Sequence, residues 1–459
     1  MIDLKSHHHF HFIGIGGIGM SALAEILLTR GYTVSGSDMN TSAITEHLSS
    51  LGANIFRGHQ ASNIAGADAV IYTAAISPEN PELLEASSLG IPSYSRAELL
   101  GSLMSEYPNS IAISGTHGKT TTTSMLSLIL ENAHMDPTIL VGGNLPQING
   151  NVKIGKGPFF VTEACEYMDS FLSMRPMVEI ILNIDSDHLD YFKDIDHITR
   201  SFDAFASLVP SEGLVIAYAA NAFVAGIINK LNCRVITFGF DSGCDYRAEH
   251  IHFNNFGMPS FDLLYKGAYL TSIQLAIPGE HNVSNALASF ACAHQLGAPV
   301  ESIRETLESF SGTQRRFDIL GVMKDHIKIV DDYAHHPTEI QATLRAAANI
   351  PHRQLWCLFQ PHTYTRTLAL FDDFSDAFQQ ADHIVLAEIY AAREKNIYKI
   401  SSRDLAASIK SRHPEKNVYY FKTFPEIADF VRAHAKEEDL ILTMGAGDIY
   451  KVAEMLLEH

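Results

Sequence analysis

The sequence predicts an α/β protein of three domains, and three observations support that fold class. Short apolar runs alternate with helical patterns along almost the whole chain, a rhythm that is typical of parallel sheets. Glycine-rich turns follow two of those runs, at residues 14–19 and 115–118. A chain of 459 residues, 46% of them hydrophobic, is long enough for two to four domains with sizeable cores. We expect a Rossmann-like domain at 1–107, a central phosphate-loop ATPase-like domain at 108–313 and a second Rossmann-like domain at 314–459.

The composition argues against several classes of protein. A net charge of −19 disfavours non-specific nucleic-acid binding, and no apolar run reaches the roughly 18 residues of a membrane span. The first residues lack the apolar core of a signal peptide. Five cysteines without a C-x-x-C pair fit a reducing compartment, so we expect a cytoplasmic protein. The histidines at 7–9 are interpreted as the entry to a strand and not as a metal tract.

The first glycine-rich turn has the dinucleotide-binding fingerprint. It follows an apolar strand that begins at His9, reads G-x-G-x-x-G over residues 14–19, and precedes a helix predicted over 21–30. The next strand, Thr33–Asp38, ends on the acidic residue that the fingerprint places about twenty residues on. The turn suits a pyrophosphate, so an NAD-dependent oxidoreductase, a UDP-sugar site and plain helix–strand packing all remain open. A further buried strand is predicted over 68–75.

The second glycine-rich turn is a phosphate-binding loop in its usual setting. An apolar strand, residues 111–113, stops at Gly115, and Gly118, Lys119 and Thr120 lead into a helix. Backbone N–H groups and the helix dipole favour an anion at such a helix start. The lysine can reach the terminal phosphates and the threonine hydroxyl can ligate Mg²⁺. The loop is shorter than the general G-x-x-x-x-G-K-[ST] motif, but it still predicts hydrolysis of, or transfer from, ATP.

A carboxylate and an imidazole follow the next strands of the central domain. Glu163 ends a strand predicted over 159–163, and His188 comes shortly after another predicted over 178–184. Strand ends are where ligands bind in open α/β sheets. Glu163, His188 and the hydroxyl of Thr120 can therefore hold Mg²⁺ together, although histidine is an unusual ligand for that ion.

Residues 246–278 interrupt the α/β rhythm. They are predicted to form several short strands with turns at 254–257 and 266–267, and a helix is expected to begin near Asn282. The run from His281 to Asn285 precedes that helix. Capping of the helix explains much of this run, and contact with an adenine ring is the alternative.

The last domain resumes the alternation after a hinge predicted at 312–317. Pro337 is expected as the first residue of a helix. Arg315 and Arg316 in the hinge are equally compatible with phosphate contact and with solvation. Strands are predicted at 327–332, 354–360, 383–389 and 439–444, and a tight turn at 445–447 precedes a C-terminal helix.

Histidine and arginine are concentrated after two strands of this last domain. The first strand ends in D-D-Y-A-H-H-P, from Asp331 to Pro337, and the second in Q-P-H-T-Y-T-R, from Gln360 to Arg366. Two adjacent strand ends with this composition predict an anion-binding cleft.

Taken together, these motifs resemble the Mur ligases of peptidoglycan synthesis along the whole chain. The segments that carry the resemblance are G-T-H-G-K-T-T, E-A-C-E, N-I-D-S-D-H, G-E-H-N-V-S-N-A-L-A, R-R-F and D-D-Y-A-H-H-P. The first turn, with D-D-Y-A-H-H-P and Q-P-H-T-Y-T-R, is most similar to the members that join L-alanine to UDP-N-acetylmuramate. The resemblance implies that the three domains bind the UDP-sugar, ATP and the amino acid in that order. The lactyl carboxylate would become an acyl phosphate, which the amine of L-alanine then attacks.

The resemblance also implies roles for individual residues, with ATP and Mg²⁺ as cofactors, and a monomer or weak homodimer is expected. The expected catalytic residues are Lys119, Glu163, His188, His335 and Arg366. ATP would be contacted by Gly115, Thr116, His117, Gly118, Lys119, Thr120, Thr121, His281, Asn282, Asn285 and Asp331, and Mg²⁺ by Thr120, Glu163 and His188. The substrates would be contacted by Gly16, Gly17, Ile18, Gly19, Ser37, Asp38, His59, Arg315, Arg316, Tyr333, His335, His362 and Arg366.

Three other interpretations remain open at this point: an NAD-dependent oxidoreductase, a sibling ligase that attaches a recycled tripeptide to the same sugar, and a non-catalytic nucleotide-binding module. The chain also departs from the family pattern in the E-A-C-E segment. Many relatives have E-A-D-E-S-D there, so Cys165 and Tyr167 replace an acid and a serine. Ala334 stands where some relatives have glycine.

Overall fold

The alternation of strands and helices builds three separate sheets in the computed structural model, which describes residues 2–73, 76–188, 191–254, 256–313, 315–392 and 394–458. The α/β fold class with three domains is confirmed. The domain boundaries predicted at 107/108 and 313/314 both lie between sheets and remain predictions. Within the described ranges, no helix is both long and apolar enough to cross a bilayer.

The first sheet has five parallel strands in the order β3-β2-β1-β4-β5. Phe10, Phe12 and Ile13 of the central strand are buried, as expected for a parallel strand covered on both faces. The order reverses between β1 and β4, and the crevice at such a switch point is a common ligand site. The elements are β1 His9–Ile13, α1 Ile18–Thr29, β2 Thr33–Asp38, α2 Ala43–Ser50, β3 Asn54–Arg57, β4 Ala69–Tyr72, α3 Pro81–Leu89, β5 Ser93–Ser95 and α4 Arg96–Met104.

The second sheet has ten strands in the order β15-β14-β13-β12-β11-β10-β6-β9-β7-β8. The strands from β13 through β12, β11, β10, β6 and β9 to β7 are parallel, and an antiparallel β13-β14-β15 meander extends one edge. The elements are β6 Asn109–Ser114, α5 Lys119–Asn132, β7 Thr138–Leu145, β8 Gly150–Lys153, β9 Phe159–Glu163, β10 Val178–Ile181, α6 Ile195–Ala206, β11 Leu214–Tyr218, α7 Ala222–Ile228, β12 Arg234–Gly239, β13 Tyr246–Phe253, β14 Pro259–Tyr265, β15 Ala268–Gln274, α8 Glu280–Gln295 and α9 Val300–Ser309.

The third sheet has six strands in the order β16-β17-β21-β18-β19-β20, and all of them are parallel except β16. The helices pack on both of its faces around two groups of buried apolar residues. The elements are β16 Asp318–Val322, β17 Lys328–Asp332, α10 Pro337–Ala348, β18 Leu355–Phe359, α11 Tyr364–Ala369, α12 Phe371–Ser375, β19 His383–Leu386, α13 Ser402–Arg412, β20 Asn417–Tyr420, α14 Phe424–His434, β21 Leu440–Met444 and α15 Tyr450–Leu457.

Most predicted elements are confirmed, with corrections at their ends. Helix α1 begins at Ile18 and not at residue 21, because the chain enters the helix directly from Gly17, its N-cap residue. The strand predicted over 178–184 ends at Ile181, and the strand predicted over 383–389 ends at Leu386. The prediction of a strand over 68–75 is confirmed for Ala69–Tyr72, and its residues 74 and 75 lie outside the described residues.

One strand was missed altogether. The third sheet does not begin with the strand predicted at 327–332, since β16 precedes it as an antiparallel edge strand. Ile319, Leu320 and Val322 of β16 are all exposed. The strand therefore shows no alternation of buried and exposed residues from which it could be recognised.

Candidate functional site

The first glycine-rich turn is stabilised by groups at the end of β2. The N–H groups of Gly14 and Ile15 donate to the carbonyl oxygen of Ser37, at 2.8 and 3.0 Å. The N–H of Gly16 donates to Asp38 Oδ2 at 3.0 Å. Gly17, Ile18 and Gly19 then begin α1. The turn thus has the backbone of an anion-binding helix start, with the Asp38 carboxylate bound to its own backbone.

Ser37 and His59 meet at a buried carboxylate that the sequence did not reveal. The Ser37 hydroxyl donates to Glu82 Oε2 at 2.7 Å, and His59 Nδ1 lies 3.2 Å from the same oxygen. Asn63 donates to the other oxygen at 2.6 Å. Burial alone would raise the pKa of Glu82, but His11, whose Nε2 lies 3.7 Å away, and hydrogen bonds from Ser37 and Asn63 lower it to about 2. Glu82 is therefore a buried, ionised group that orients Ser37 and His59, two of the predicted substrate contacts.

Arg96 is a second group that was missed near the first turn. A Cβ atom placed on Gly19 would lie 3.3 Å from both Cδ and Nη1 of Arg96, so the arginine side chain packs against the turn. Burial and the nearby Glu166 raise the pKa of Cys165, and the positive charge of the Arg96 guanidinium partly opposes that rise. Arg96 therefore provides positive charge between the first turn and the E-A-C-E segment of the central domain.

The phosphate loop is held in shape by residues from two other segments. Gly118 has a φ of +86°, a backbone conformation that is strained for residues with a side chain. A Cβ atom at this position would also lie only 2.6 Å from Asn285 Oδ1. Asn285 in turn accepts from Thr122 at 3.3 Å and donates to Asn282 Oδ1 at 3.0 Å. The N–H of His117 donates to Asn183 Oδ1 at 2.8 Å. Asn282 and Asn285 are thus buried supports of the loop, and their predicted adenine contact remains a prediction.

His281 and Thr121 lie beside this framework. Helix α8 begins at Glu280 with Gly279 as its N-cap residue, so the prediction that the run from His281 to Asn285 precedes and caps the helix is wrong. His281 is on the first turn of α8, and burial lowers its pKa to about 4. It is therefore a neutral imidazole at neutral pH. Thr121 is on the first turn of α5, directly after Lys119 and Thr120.

Lys119 is directed at protein acceptors. Its Nζ donates to Glu166 Oε2 at 2.9 Å and to the carbonyl oxygen of Thr116 at 3.1 Å, and it also bonds the carbonyl oxygen of Gly115. Burial opposes the charge of Lys119, but the attraction of Glu166 outweighs that effect and raises the pKa of the lysine. The ammonium group is therefore charged and bound to its own loop and to the E-A-C-E segment.

The donors predicted for Mg²⁺ lie around this loop. Glu163 Oε1 accepts from the N–H of Gly142 at 2.7 Å, and a Cβ atom on Gly142 would come within 2.9 Å of both carboxylate oxygens. A Cβ atom on the next residue, Gly143, would lie 3.3 Å from the methyl group of Thr120. Strand β7 therefore packs against both Glu163 and the methyl group of Thr120 through two adjacent glycines. A hydroxyl and a carboxylate beside a phosphate loop form a donor set that suits a hard cation.

His188 completes this group and has backbone strain. Its φ is +52°, its Nε2 lies 4.0 Å from Glu166 Oε1, and its ring packs at 4.8 Å from that of Tyr167. Non-glycine residues in the left-handed region are uncommon and often occur at functional sites. Thr120, Glu163 and His188 thus all lie beside the phosphate loop or its neighbour Glu166, and their joint binding of Mg²⁺ remains a prediction.

The central and C-terminal domains are joined by a bridging histidine of the phosphate loop. His117 Nε2 lies 3.3 Å from Asp185 Oδ2, and its Nδ1 lies 3.2 Å from Glu339 Oε1 on α10. Although burial favours the neutral ring, these two carboxylates raise the pKa of His117 to about 9. Thr338 donates to Asp185 at 2.9 Å, and His336 Nε2 donates to the carbonyl oxygen of Ser186 at 2.8 Å. His117 is therefore an imidazolium between two domains.

A second interdomain contact lies at the cleft that the sequence predicted. Nε and Nη2 of Arg366 both donate to Asp187 Oδ1 at 3.1 Å. Nη1 of Arg366 lies 3.3 Å from His362 Nδ1, and the His362 ring is 6.0 Å from that of His335. Burial lowers the pKa of both histidines to about 4, so both rings are neutral at neutral pH. The predicted histidines and arginine are thus neighbours, and they are in contact with the central domain.

Asp187, His362 and Arg366 border a cavity of about 520 Å³ between the two domains. One wall carries Asp187 and His188 of the central domain, and the opposite wall carries His362, Arg366 and Glu394. Glu394 accepts from the backbone N–H of Thr365 at 2.9 Å. The cavity therefore combines cationic, imidazole and carboxylate groups within a short distance of the metal donors.

The hinge residues pack on Tyr333. The guanidinium groups of Arg315 and Arg316 lie 5.1 and 5.2 Å from the centre of its ring. Arg315 Nε also donates to Asp331 Oδ2 at 2.9 Å, while Thr443 donates to Oδ1 at 2.7 Å. Asp331 is 1% exposed, and both of its oxygens are engaged in the third domain. Its assignment to the ATP ribose remains a prediction.

Family models match this chain in three consecutive parts. Residues 9–108 match the model described as the Mur ligase family catalytic domain, residues 113–293 the Mur ligase middle domain, and residues 315–447 the Mur ligase glutamate ligase domain. Together they cover most of the chain, in the order that the motifs indicated.

Curated relatives and solved structures give the same result. The UDP-N-acetylmuramate–L-alanine ligase of Acetivibrio thermocellus is 50% identical over 459 residues, which is 100% of this chain and 97% of the relative. The enzyme of that name from Alkaliphilus metalliredigens is 51% identical over 456 residues, 99% and 98% of the two chains. The crystal structure of UDP-N-acetylmuramate-alanine ligase from Thermotoga maritima matches with a TM-score of 0.82 at 30% identity, over 98% and 99% of the two chains. A murein peptide ligase from Psychrobacter arcticus matches with a TM-score of 0.74 at 27% identity, over 98% of both. The chain belongs to the Mur ligase family.

Proposed function

We propose that this protein joins L-alanine to the lactyl carboxylate of UDP-N-acetylmuramate at the expense of ATP, through an acyl phosphate, in the synthesis of peptidoglycan precursors. The observation that carries the proposal is the meeting of three features at one domain interface. Thr120 is on the first turn of the helix that follows the phosphate loop, and His188, a second predicted Mg²⁺ ligand, lines the cavity that contains Arg366. Relatives about 50% identical over the whole chain carry the name of that activity.

The chemistry explains why this site is cationic and enclosed. A carboxylate is a poor electrophile at neutral pH, and phosphorylation gives its carbonyl carbon a leaving group. Bringing a carboxylate to a triphosphate joins two anions, so positive groups must offset their repulsion. Lys119 and Arg366 provide two such groups, and Mg²⁺, when bound by Thr120, Glu163 and His188, adds charge at the phosphates.

The side chains in and beside the cavity are placed to bind L-alanine, whose amine attacks the acyl phosphate. His362 lines the cavity and His335 lies beside it. Burial lowers the pKa of both histidines to about 4, so both rings are neutral at neutral pH and are weak bases. They therefore suit hydrogen bonding to the amino acid more than removal of a proton from its amine. Arg366 beside them suits the α-carboxylate of the amino acid or the acyl phosphate. Contact between the two domains keeps water from the acyl phosphate, whose hydrolysis would waste ATP.

A panel assay tests the proposal. Phosphate release from ATP would be measured with UDP-N-acetylmuramate and each of L-alanine, glycine, L-serine and the tripeptide L-alanyl-γ-D-glutamyl-meso-diaminopimelate. We expect release with L-alanine in preference to the others, together with a new amide product. Release with the tripeptide alone would assign the chain to the sibling ligases, of which the Psychrobacter arcticus protein is a relative. Release that does not depend on any amino acid would contradict ligation.

A further inference from the structure

The E-A-C-E segment contains a second glutamate, Glu166, that the chemistry above does not use. It is 2% exposed, and its two oxygens lie 2.9 and 3.1 Å from Lys119 Nζ. Lys119 also bonds the carbonyl oxygens of Gly115 and Thr116. An ammonium group has three protons, and here all of its four acceptor oxygens belong to the protein. The side chain of Lys119 thus folds back onto the phosphate loop from which it projects.

This arrangement conflicts with nucleotide binding. A loop lysine acts on a triphosphate by placing its charge at the terminal phosphates, and a lysine bound to Glu166 must give up that contact first. A buried carboxylate beside the loop also repels an incoming anion. Glu166 therefore competes with ATP for the same cation.

We propose that Glu166 is a positioning residue that serves as the counterion of Lys119 in the empty enzyme and is replaced by the phosphates of ATP. The released carboxylate has a second partner nearby, because His188 Nε2 lies 4.0 Å from its Oε1. Glu166 thus stabilises the charged side chain of Lys119 in its buried conformation against the phosphate loop when no nucleotide is bound. Because Glu166 competes with ATP for Lys119, it weakens the affinity of the enzyme for the nucleotide. The inference rests on ATP binding at this loop, as the proposed function requires.

Calorimetric titration of the full-length protein with ATP, in the presence of EDTA so that no divalent ion takes part, tests the exchange. Glu166→Gln should bind ATP more tightly than the wild type, on the order of tenfold, since a charge-assisted hydrogen bond no longer competes. Glu163→Gln is the matched control. It removes the same charge from the same site, but Glu163 makes no hydrogen bond to Lys119 among the described residues. A gain of equal size in both variants would mean general repulsion and would overturn the specific role of Glu166.

A double-mutant cycle separates action through Lys119 from any other effect. In a Lys119→Ala background, Glu166→Gln should raise ATP affinity much less than in the wild type, because only the direct repulsion between the carboxylate and the phosphates is then removed. The same gain in that background, or a loss of affinity in Glu166→Gln alone, would overturn the proposal. Thermal unfolding would verify that each variant folds. If Glu166→Gln does not fold, Glu166→Asp keeps the charge but shortens its reach, and it should show a smaller gain in affinity.

The outcomes also distinguish this inference from the proposed function. Wild-type protein that binds no ATP under any condition, with or without Mg²⁺, would contradict the proposed function itself. Wild-type protein that binds ATP and a Glu166→Gln variant that binds it with equal affinity would contradict the exchange alone.

Discussion

The first turn and the phosphate loop use the same backbone design with opposite charges. In both, a parallel strand ends in a glycine-rich turn that begins a helix. The first turn is closed by a carboxylate, since Gly16 donates to Asp38. The second carries a lysine, Lys119, held by Glu166. The backbone alone therefore supplies an anion site, and the side chains around it decide which anion binds and whether chemistry follows.

A buried glutamate lies beneath each of these regions, and the two differ in ionisation. Glu82 accepts hydrogen bonds from Ser37 and Asn63 and lies near two histidines, so it is ionised despite burial. Glu179 accepts one hydrogen bond, from Ser114 at the end of β6. Its Oε2 has no partner among the described residues, and burial raises its pKa to about 8. Glu82 keeps its charge because it has more donors and a nearby histidine, whereas Glu179 has one donor and is more deeply buried.

The largest expected effect is on the rate of ligation, and it distinguishes the phosphate loop from the first glycine-rich turn. Lys119→Ala should lower the rate of ligation by about 10²–10³-fold, the usual cost of a lost transition-state charge contact. Stabilisation of the protein by UDP-N-acetylmuramate in thermal unfolding should remain, since that ligand is assigned to the first turn. Lys153→Ala, which removes a lysine that pairs with Glu131 and Asp136 at the surface, is the control. Near-normal turnover of the Lys119 variant would refute the phosphate-loop assignment.

Arg366→Ala should slow ligation by about 10²-fold, because misplacement of reacting groups has costs of that size. The affinity of the enzyme for ATP should change little, since Arg366 belongs to the third domain and the phosphate loop to the second. Rapid-quench and ATP-titration experiments measure the two quantities separately. Arg412→Ala, which removes a surface arginine paired with Asp372 and Asp376, serves as the control. A variant that loses ATP binding but ligates normally at saturating ATP would contradict the assignment.

Glu163→Gln should shift the Mg²⁺ concentration needed for half-maximal activity upward by about 10- to 100-fold, in the range seen when metal-site contacts are lost. The amide preserves shape and the contact with Gly142 but removes a full negative charge from a cation that prefers carboxylate oxygen. Activity would be titrated against Mg²⁺ at fixed ATP. An unchanged titration curve would show that Glu163 is not a ligand.

The first turn should select a UDP-sugar and not NAD. At a ligand concentration of 100 times Kd, UDP-N-acetylmuramate should stabilise the folded protein by about 2.7 kcal/mol, and NAD at the same concentration should not. Differential scanning fluorimetry measures both. Stabilisation by NAD alone would support the oxidoreductase interpretation of the fingerprint.

The smallest expected effect is a difference between Glu82 and Glu179 in how each contributes to the pH dependence of stability. The folded pKa of Glu179 is raised, so its contribution to stability is complete below about pH 4.5 and is lost as the pH rises towards 8, by at most about 1.4 kcal/mol per pH unit. Glu179→Gln should flatten the stability curve in that window. The folded pKa of Glu82 is lowered, so its contribution is present above about pH 4.5 and is lost as the pH falls towards 2. Urea unfolding from pH 3 to 9 measures both, and identical pH profiles for Glu82→Gln and Glu179→Gln would contradict the contrast.

Local patterns in the sequence were sufficient for the fold and for the two turns. A strand, a glycine-rich turn and a helix start lie within a few residues of one another, so their chemistry can be read directly. Gly142 and Gly143 gave a weaker signal that was not used, since adjacent glycines inside a strand often mark the close approach of another group. Strand β16 was missed because it is an exposed edge strand without alternation.

The partners of the site residues could not be predicted in this way. Glu82 lies 45 positions from Ser37, and Glu339 lies 222 positions from His117. No local rule connects such pairs, since only the folded sheets bring them together. Glu166 was visible within E-A-C-E, but its contact with Lys119 depends on how β9 lies beside β6.

The His117 bridge makes nucleotide affinity and domain position two measures of a single equilibrium. Because His117 belongs to the phosphate loop and contacts Glu339 of the third domain, a ligand that reshapes the loop changes the free energy of that contact. Reciprocity then requires that a ligand which alters the His117–Glu339 contact changes the affinity of the loop for its nucleotide by the same factor. A small molecule that binds beneath α10 and displaces Glu339 would therefore change ATP affinity without touching the nucleotide site.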